Sequence, residues 1–138
     1  MRISNFLKEL IISVLIFLGV LYGLPKILSL ALNSSYPVAA VSSNSMRPVL
    51  KKGDLIFVKG VEKEDIRVGD IVIYRVGENF IVHRVVKLEE GQLVTKGDAN
   101  AIEDTPVSYD QVVGRLAKIG EKPFTVPYLG NITAFANR

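Results

Sequence analysis

With 138 residues, no cysteine and a single histidine, the chain has room for one domain and an appendage. It lacks the ligands for disulfides, thiolate metal sites or an ordinary zinc centre, so no metal and no cofactor is expected. Its formal charge is +3, but Arg2, Lys8 and Lys26 against Glu9 precede Ser34 and leave the remainder near +1 with its charges interspersed. That gives no electrostatic footing for nucleic acid.

Residues 1–9 are a short, basic-leaning start. Residues 10–24 carry no charge, Pro25 and Lys26 interrupt, and residues 27–32 resume the apolar run. As a helix, residues 10–32 would extend about 34 Å, enough to cross a hydrocarbon core of about 30 Å. A transmembrane anchor is expected there, with Lys26 snorkelling near one end. Two other readings compete. A buried helix apolar on all sides needs a larger core than this chain supplies. A cleaved secretory signal shares the basic start, but its apolar stretch is usually shorter and no clean A-x-A site follows here. The basic start should stay cytoplasmic and send the body across the membrane.

Residues 33–37 form a polar break and a juncture; residues 38–126 read as β structure. Residues 38–41 are a strand, and Ser43-Asn44-Ser45-Met46-Arg47-Pro48 follows about a dozen residues beyond the anchor. Residues 55–58 and 71–74 are short apolar runs opened by Gly53-Asp54 and Gly69-Asp70, each a turn followed by a strand. Residues 62–68 offer at most one helical turn. Residues 80–88 and 92–96, joined by Glu89-Glu90-Gly91, read as a hairpin. A third pair, Gly97-Asp98, comes next, and residues 112–119 give another strand, bulged at Gly114. The mildly apolar tail, residues 127–138, is too short to span a bilayer. The expected architecture is one membrane helix followed by a mainly β body.

A serine hydroxyl needs a positioned base to take its proton as it attacks. His83, in Phe80-Ile81-Val82-His83-Arg84-Val85-Val86, is the obvious candidate, since an imidazole titrates near neutrality. With Ser45 and an acid at Asp98 or Asp104, the parts of a serine-type acyl-transfer site are present. Singly, each residue has a plainer explanation. Ser45 serves as a turn serine ahead of Pro48, His83 as a strand filler with one satisfied bond, Asp98 and Asp104 as turn residues.

The joint pattern carries more. Ser43-x-Ser45-Met46-x-Pro48, Gly69-Asp70-Ile71-Val72-Ile73-Tyr74, Ile81-Val82-His83-Arg84-Val85 and Thr95-Lys96-Gly97-Asp98-Ala99-Asn100 with Asp104 occur in that order. Over residues 38–120 this resembles type I signal peptidase, in its archaeal and endoplasmic-reticulum branch. The resemblance implies a signal-peptidase-like catalytic β fold that cuts signal peptides after small residues at −1 and −3. It implies Ser45 as nucleophile, His83 where the bacterial branch has a lysine base, and Asp98 and Asp104 as the two acids of the Gly-Asp box. Asp104 is the favoured partner of the imidazole, and Asp98 a second essential acid or turn organiser. The Ser45 amide and the Ser43 hydroxyl would form the oxyanion hole. Implied partners are signal-peptide-bearing preproteins, the lipid bilayer and secretion machinery. Many members of that branch carry a second hydrophobic segment after the catalytic part, and none lies between residue 120 and Arg138.

Three rivals stay open at this point. In one, Lys87 or Lys96 is the base and His83 is structural. In another the body is a non-catalytic, membrane-anchored subunit of a processing complex. In a third, a pilin-like or sorting-related processing peptidase, the chemistry is the same and the substrate differs. Self-cleaving SOS-repressor proteases have a related catalytic body but are set aside, because this chain has an anchor and no helix-turn-helix.

Overall fold

The apolar run forms a single helix that starts earlier than the charge-free stretch suggests. In the computed structural model, which describes residues 2–130 (side chains from residue 5), α1 spans Arg2–Ala31 and passes through Pro25 without a break. Its stretch Asn5–Ala31 is long and apolar enough to cross a membrane, and none of that window is buried against the rest of the chain. Such exposure is what a lipid-facing helix presents, whereas in water it would leave a continuous apolar surface. The chain thus fits a single-pass membrane protein.

The juncture is tighter than a polar break implies. Ser34 is buried, its amide donates to Ser29 O at 3.0 Å, and Ser29 Oγ donates to Ser34 O at 2.8 Å. The Gly60 amide donates to Leu32 O at 2.8 Å, and a Cβ on Gly60 would lie 1.8 Å from Asn33 O. Only glycine allows the sheet to approach the end of α1 this closely.

The strands are β1 (Val38–Ala40), β2 (Leu55–Lys59), β3 (Ile71–Val76), β4 (Asn79–Glu89), β5 (Gln92–Lys96), β6 (Val107–Ser108), β7 (Val112–Leu116), β8 (Lys118–Ile119), β9 (Lys122–Pro123) and β10 (Thr125–Val126). An eight-stranded antiparallel sheet runs β1-β2-β7-β3-β4-β5-β6, with β10 also on β2; β8 and β9 form a separate hairpin. This agrees with a mainly β body behind one apolar helix. The Gly53-Asp54 and Gly69-Asp70 turns open β2 and β3 as expected, each glycine at positive φ, 93° and 95°. The expected helical turn is the short 3-10 segment Lys63–Asp65.

The long strand foreseen over residues 112–119 divides at Ala117 into β7 and β8. Its bulge lies one residue before Gly114: Ile73 pairs with Gly114 and Tyr74 with Val112, leaving Val113 as the extra residue. Gly114 itself is needed because a Cβ there would meet Lys59 O at 2.5 Å, where β2 crosses. Of the tail, residues 131–138 lie outside the described residues, as does Met1.

The sheet splits the core into two clusters. One gathers Val41, Met46, Leu50, Ile56, Val58, Ile71, Ile73 and Leu116; the other gathers Ile66, Val72, Tyr74, Val85, Leu93 and Val107. Strand alternation accounts for the division, since Ile71 and Ile73 face one side of β3 and Val72 and Tyr74 the other.

Candidate active site

Met46 anchors the segment that carries Ser45. It is 1% exposed within the first core cluster, and the Leu50 amide donates to Met46 O at 2.9 Å, coiling the chain beneath it. The apolar neighbour is thus buried while Ser45 stays partly exposed. From the other side, the Ala99 amide donates to Ser45 O at 2.7 Å. This clamp requires Gly97, because a Cβ there would lie 2.8 Å from Ser45 O and 2.7 Å from Asn100 Nδ2.

His83 sits on β4 opposite Val72 of β3, so its side chain shares a face with Val72, Tyr74 and Val85. Asp104 is folded back onto the same face by its amide, which donates to Thr95 O at 2.8 Å. The three side chains meet in a line. His83 Nε2 lies 3.0 Å from Ser45 Oγ, and His83 Nδ1 lies 2.5 Å from Asp104 Oδ2. The imidazole is largely buried and its carboxylate partner partly so, at 10% and 24% side-chain exposure, which shields the contact from solvent without closing it off. An imidazole held between a hydroxyl and a carboxylate can accept the hydroxyl proton at one nitrogen and keep its own at the other. Ser43 Oγ lies 3.0 Å from Ser45 Oγ, and the Ser45 amide reaches Ser43 Oγ at a long 3.4 Å.

Asp98, the other acid of the same loop, is not at the imidazole. It accepts a bidentate pair from Arg84, Nε to Oδ1 at 2.8 Å and Nη2 to Oδ2 at 2.7 Å, while Arg84 Nη1 donates to Gly69 O at 2.8 Å. The Asp98 hydrogen bonds, and then its charge, hold the Arg84 guanidinium above its ordinary pKa against the opposing effect of burial. Asp98 therefore ties β4 and the Gly69 turn to the loop that clamps Ser45. Neither Lys87 nor Lys96 makes a hydrogen bond to Ser45 among the described residues.

Reading the residues in order missed Arg84 as Asp98's partner, and missed Tyr74 and Thr95, whose hydroxyls also reach Asp104 Oδ2, at 3.2 and 2.7 Å. Strand alternation was the available signal. Tyr74 and His83 share a face, and Arg84, next to His83, must point to the other.

A groove of about 800 Å³ opens in front of Ser45 and His83, walled by β1 on one side and the first half of β4 on the other. Val38, Ala40, Ile81 and Val82 make it predominantly apolar, and Tyr36 and Phe80 stand at one end with their rings 5.0 Å apart. Both walls are strand edges. Among the described residues, β1 pairs only with β2, and residues 79–83 of β4 pair only with β3, since β5 joins β4 from Arg84 onward. No groups of His, Asp or Glu able to hold a metal ion occur among the described residues.

Comparison with known proteins gives the same direction. Residues 24–118 match the Peptidase S24-like family. The human signal peptidase complex catalytic subunit SEC11C is 35% identical over 114 residues, covering 75% of this chain and 59% of the relative. The SEC11 catalytic subunit of Candida dubliniensis is 35% identical over 117 residues, covering 78% of this chain and 70% of its own length. That of Zygosaccharomyces rouxii is 39% identical over 117 residues, covering 77% and 69%. The chain thus spans about three-fifths of the length of the mammalian relatives it matches (59%).

Proposed function

The chain belongs to the Peptidase S24-like family, in the endoplasmic-reticulum and archaeal type of signal peptidase I, and we propose that it is a membrane-anchored serine endopeptidase that removes signal peptides from exported preproteins. The observation that carries this reading is the Ser45–His83–Asp104 line at 3.0 and 2.5 Å, set at an apolar groove between two free strand edges.

In this reading Ser45 Oγ attacks the scissile carbonyl while His83 Nε2 takes its proton. Asp104 holds the ring through Nδ1–H and stabilises the imidazolium. The tetrahedral oxyanion turns to the Ser45 amide and the Ser43 hydroxyl, a pair of donors each worth about 3 kcal/mol where such groups have been removed. His83 returns the proton to the leaving amine, and water, deprotonated by the same nitrogen, releases the acyl-enzyme. The Ser43 hydroxyl, 3.0 Å from the nucleophile, needs only a rotation of its O–H to serve the oxyanion.

The cleavage segment would lie extended in the groove and complete backbone hydrogen bonds with the free edges of β1 and β4. Ala40 and the strand residues around it would leave space for small side chains at −1 and −3. The Tyr36 end of the groove lies nearest the anchor in sequence, so the apolar part of a membrane-inserted signal would approach from there. Anchor and substrate in one bilayer raise each other's effective concentration, which lets shallow pockets suffice. The basic start would be cytoplasmic and the β body on the far side. Assembly with other membrane subunits or secretion machinery is part of the same proposal, by similarity to the catalytic subunits above. The lysine-base reading finds no support, since His83 occupies the position beside Ser45 that such a lysine would need.

The test is cleavage of a preprotein bearing an A-x-A site by the full chain in lipid, beside Ser45→Ala and His83→Ala. Cut at the expected bond, with a loss of about 10⁴-fold or more in both variants, is the expected result. Cleavage that persists in His83→Ala would sink the imidazole base.

A further inference from the structure

Asp104 Oδ2 is the meeting point of three donors from three adjacent strands. His83 of β4 reaches it at 2.5 Å, Thr95 Oγ1 of β5 at 2.7 Å and Tyr74 Oη of β3 at 3.2 Å; the two hydroxyl oxygens lie 3.1 Å apart. Thr95 is fully buried and Tyr74 is 1% exposed, so neither hydroxyl can exchange this partner for bulk water. The acyl-transfer steps above use neither group.

The protons at this junction can be counted. Each hydroxyl has one. At 2.7 Å an ionised carboxylate oxygen and Thr95 Oγ1 repel unless the threonine proton lies between them, so Thr95 donates to Asp104. Tyr74 then delivers its own proton to Asp104 directly or to Thr95 Oγ1, and in either case supports the carboxylate charge. Burial first, then the charge and hydrogen bond of Asp104, against the opposing contact from Thr95, push the Tyr74 phenol up to about 12. It therefore remains a donor at every pH at which a serine peptidase works.

We propose that Tyr74 and Thr95 are positioning residues of the acyl-transfer site, holding Asp104 ionised and aimed at His83 Nδ1. The inference rests on the triad reading above. An ionised carboxylate only accepts, so at 2.5 Å the imidazole must be the donor to Oδ2 and the ring carries its proton on Nδ1. Nε2 is then left with a lone pair facing Ser45. The same two donors moderate the carboxylate. Sharing its charge with them makes it a weaker acceptor, which keeps the proton on the imidazole instead of passing it to Asp104. Of titratable groups among the described residues, His83 and Tyr74 touch this carboxylate, while Arg84 and Asp98 pair with each other through the other face of β4.

The experiment compares Tyr74→Phe, Thr95→Val, Thr95→Ser and the Phe/Val double variant with wild type, using the full chain in lipid and the A-x-A preprotein. The readouts are kcat, KM and the pH profile of kcat/KM. Tyr74→Phe keeps the buried ring and should lower kcat about tenfold with KM changed less than about twofold, the loss expected for one hydrogen bond to a charged group. The acid limb should move to higher pH, because a less moderated carboxylate holds the imidazolium more tightly. Thr95→Val should do the same more strongly, Thr95→Ser should restore most of the rate, and the double variant should lose less than the product of the two. Profiles that superimpose on wild type in both Tyr74→Phe and Thr95→Val, with only thermal stability lowered, would reduce the pair to core fillers. If Ser45→Ala retained activity, the triad reading would fail and this proposal with it. Loss in Ser45→Ala without a shifted limb would overturn this proposal alone.

Discussion

Two carboxylates in this sheet, Asp70 and Asp104, are each surrounded by several donors, and they differ in what those donors are. Asp70 is buried at the turn into β3, where it accepts from the Arg67 amide at 3.0 Å and Lys118 Nζ at 3.0 Å, with Arg115 Nη1 at 3.5 Å. Asp104 has two hydroxyls and an imidazole. Fixed cations neutralise a carboxylate permanently, and the result is a staple between the β3 turn, β7 and β8. Neutral hydroxyls orient a carboxylate without cancelling its charge, and leave it available to a group that acquires positive charge only during a reaction. The surroundings, rather than the acid, separate a structural carboxylate from one fit for chemistry.

The largest expected break in that comparison is Asp104→Asn. It keeps the shape but presents an amide to Nδ1, favours the wrong tautomer, and should lower kcat about 10⁴-fold with a small change in melting temperature. Next is Gly97→Ala, where the new methyl would contact Ser45 O. A displaced nucleophile should cost about 10²-fold in kcat/KM, read beside unchanged circular dichroism.

Asp98→Asn sharpens the distinction within the active-site loop. It should remove about 2 kcal/mol of stability, measurable by urea unfolding, and lower kcat more modestly than Asp104→Asn, since Asp98 acts through Arg84 and the loop. A loss equal to that of Asp104→Asn would instead put Asp98 in direct contact with the chemistry.

Asp70→Asn should leave kcat within about twofold and cost about 1.5 kcal/mol at neutral pH. Its pH dependence has a definite sign. Burial raises the Asp70 pKa, but Lys118, the Arg67 amide and Arg115 outweigh it and hold the group below its ordinary value. The unfolded chain therefore takes up this proton before the folded one does. The stabilisation is complete above about pH 4 and is lost as pH falls through the depressed folded value. Wild type should lose melting temperature across that acid window more steeply than Asp70→Asn; parallel curves would remove Asp70 from the acid response.

Much of this was legible in the residues. The charge-free run, the glycine turns and the β4–β5 hairpin follow from hydrophobicity and turn chemistry, which act locally. Two-residue strands such as β6, β9 and β10 have no period to read, because their pairing is decided by what they meet. The helix begins at Arg2, ahead of the charge-free stretch, because charge does not end a helix. The acid assignment shows the boundary most clearly. Asp98 and Asp104 belong to one loop between β5 and β6, and composition does not rank them. Adjacent residues His83 and Arg84 point to opposite faces of β4, and each takes one acid. Alternation told that the faces differ, but the path of residues 99–104, which decides the match, is a tertiary fact.

Gly60 has a consequence for how the whole chain behaves as a body. With its amide on Leu32 O and no room for a methyl against Asn33 O, the sheet is fastened to the last turn of the helix with no slack between them. Tilt becomes a shared coordinate. Whatever sets the inclination of the helix also sets the bearing of the groove, as a keel sets the heading of the deck above it. On the proposed reading, in which the helix spans a bilayer and an extended substrate lies in the groove, bilayer thickness, which acts on helices by tilting them, would gain mechanical purchase on the angle at which that substrate meets Ser45.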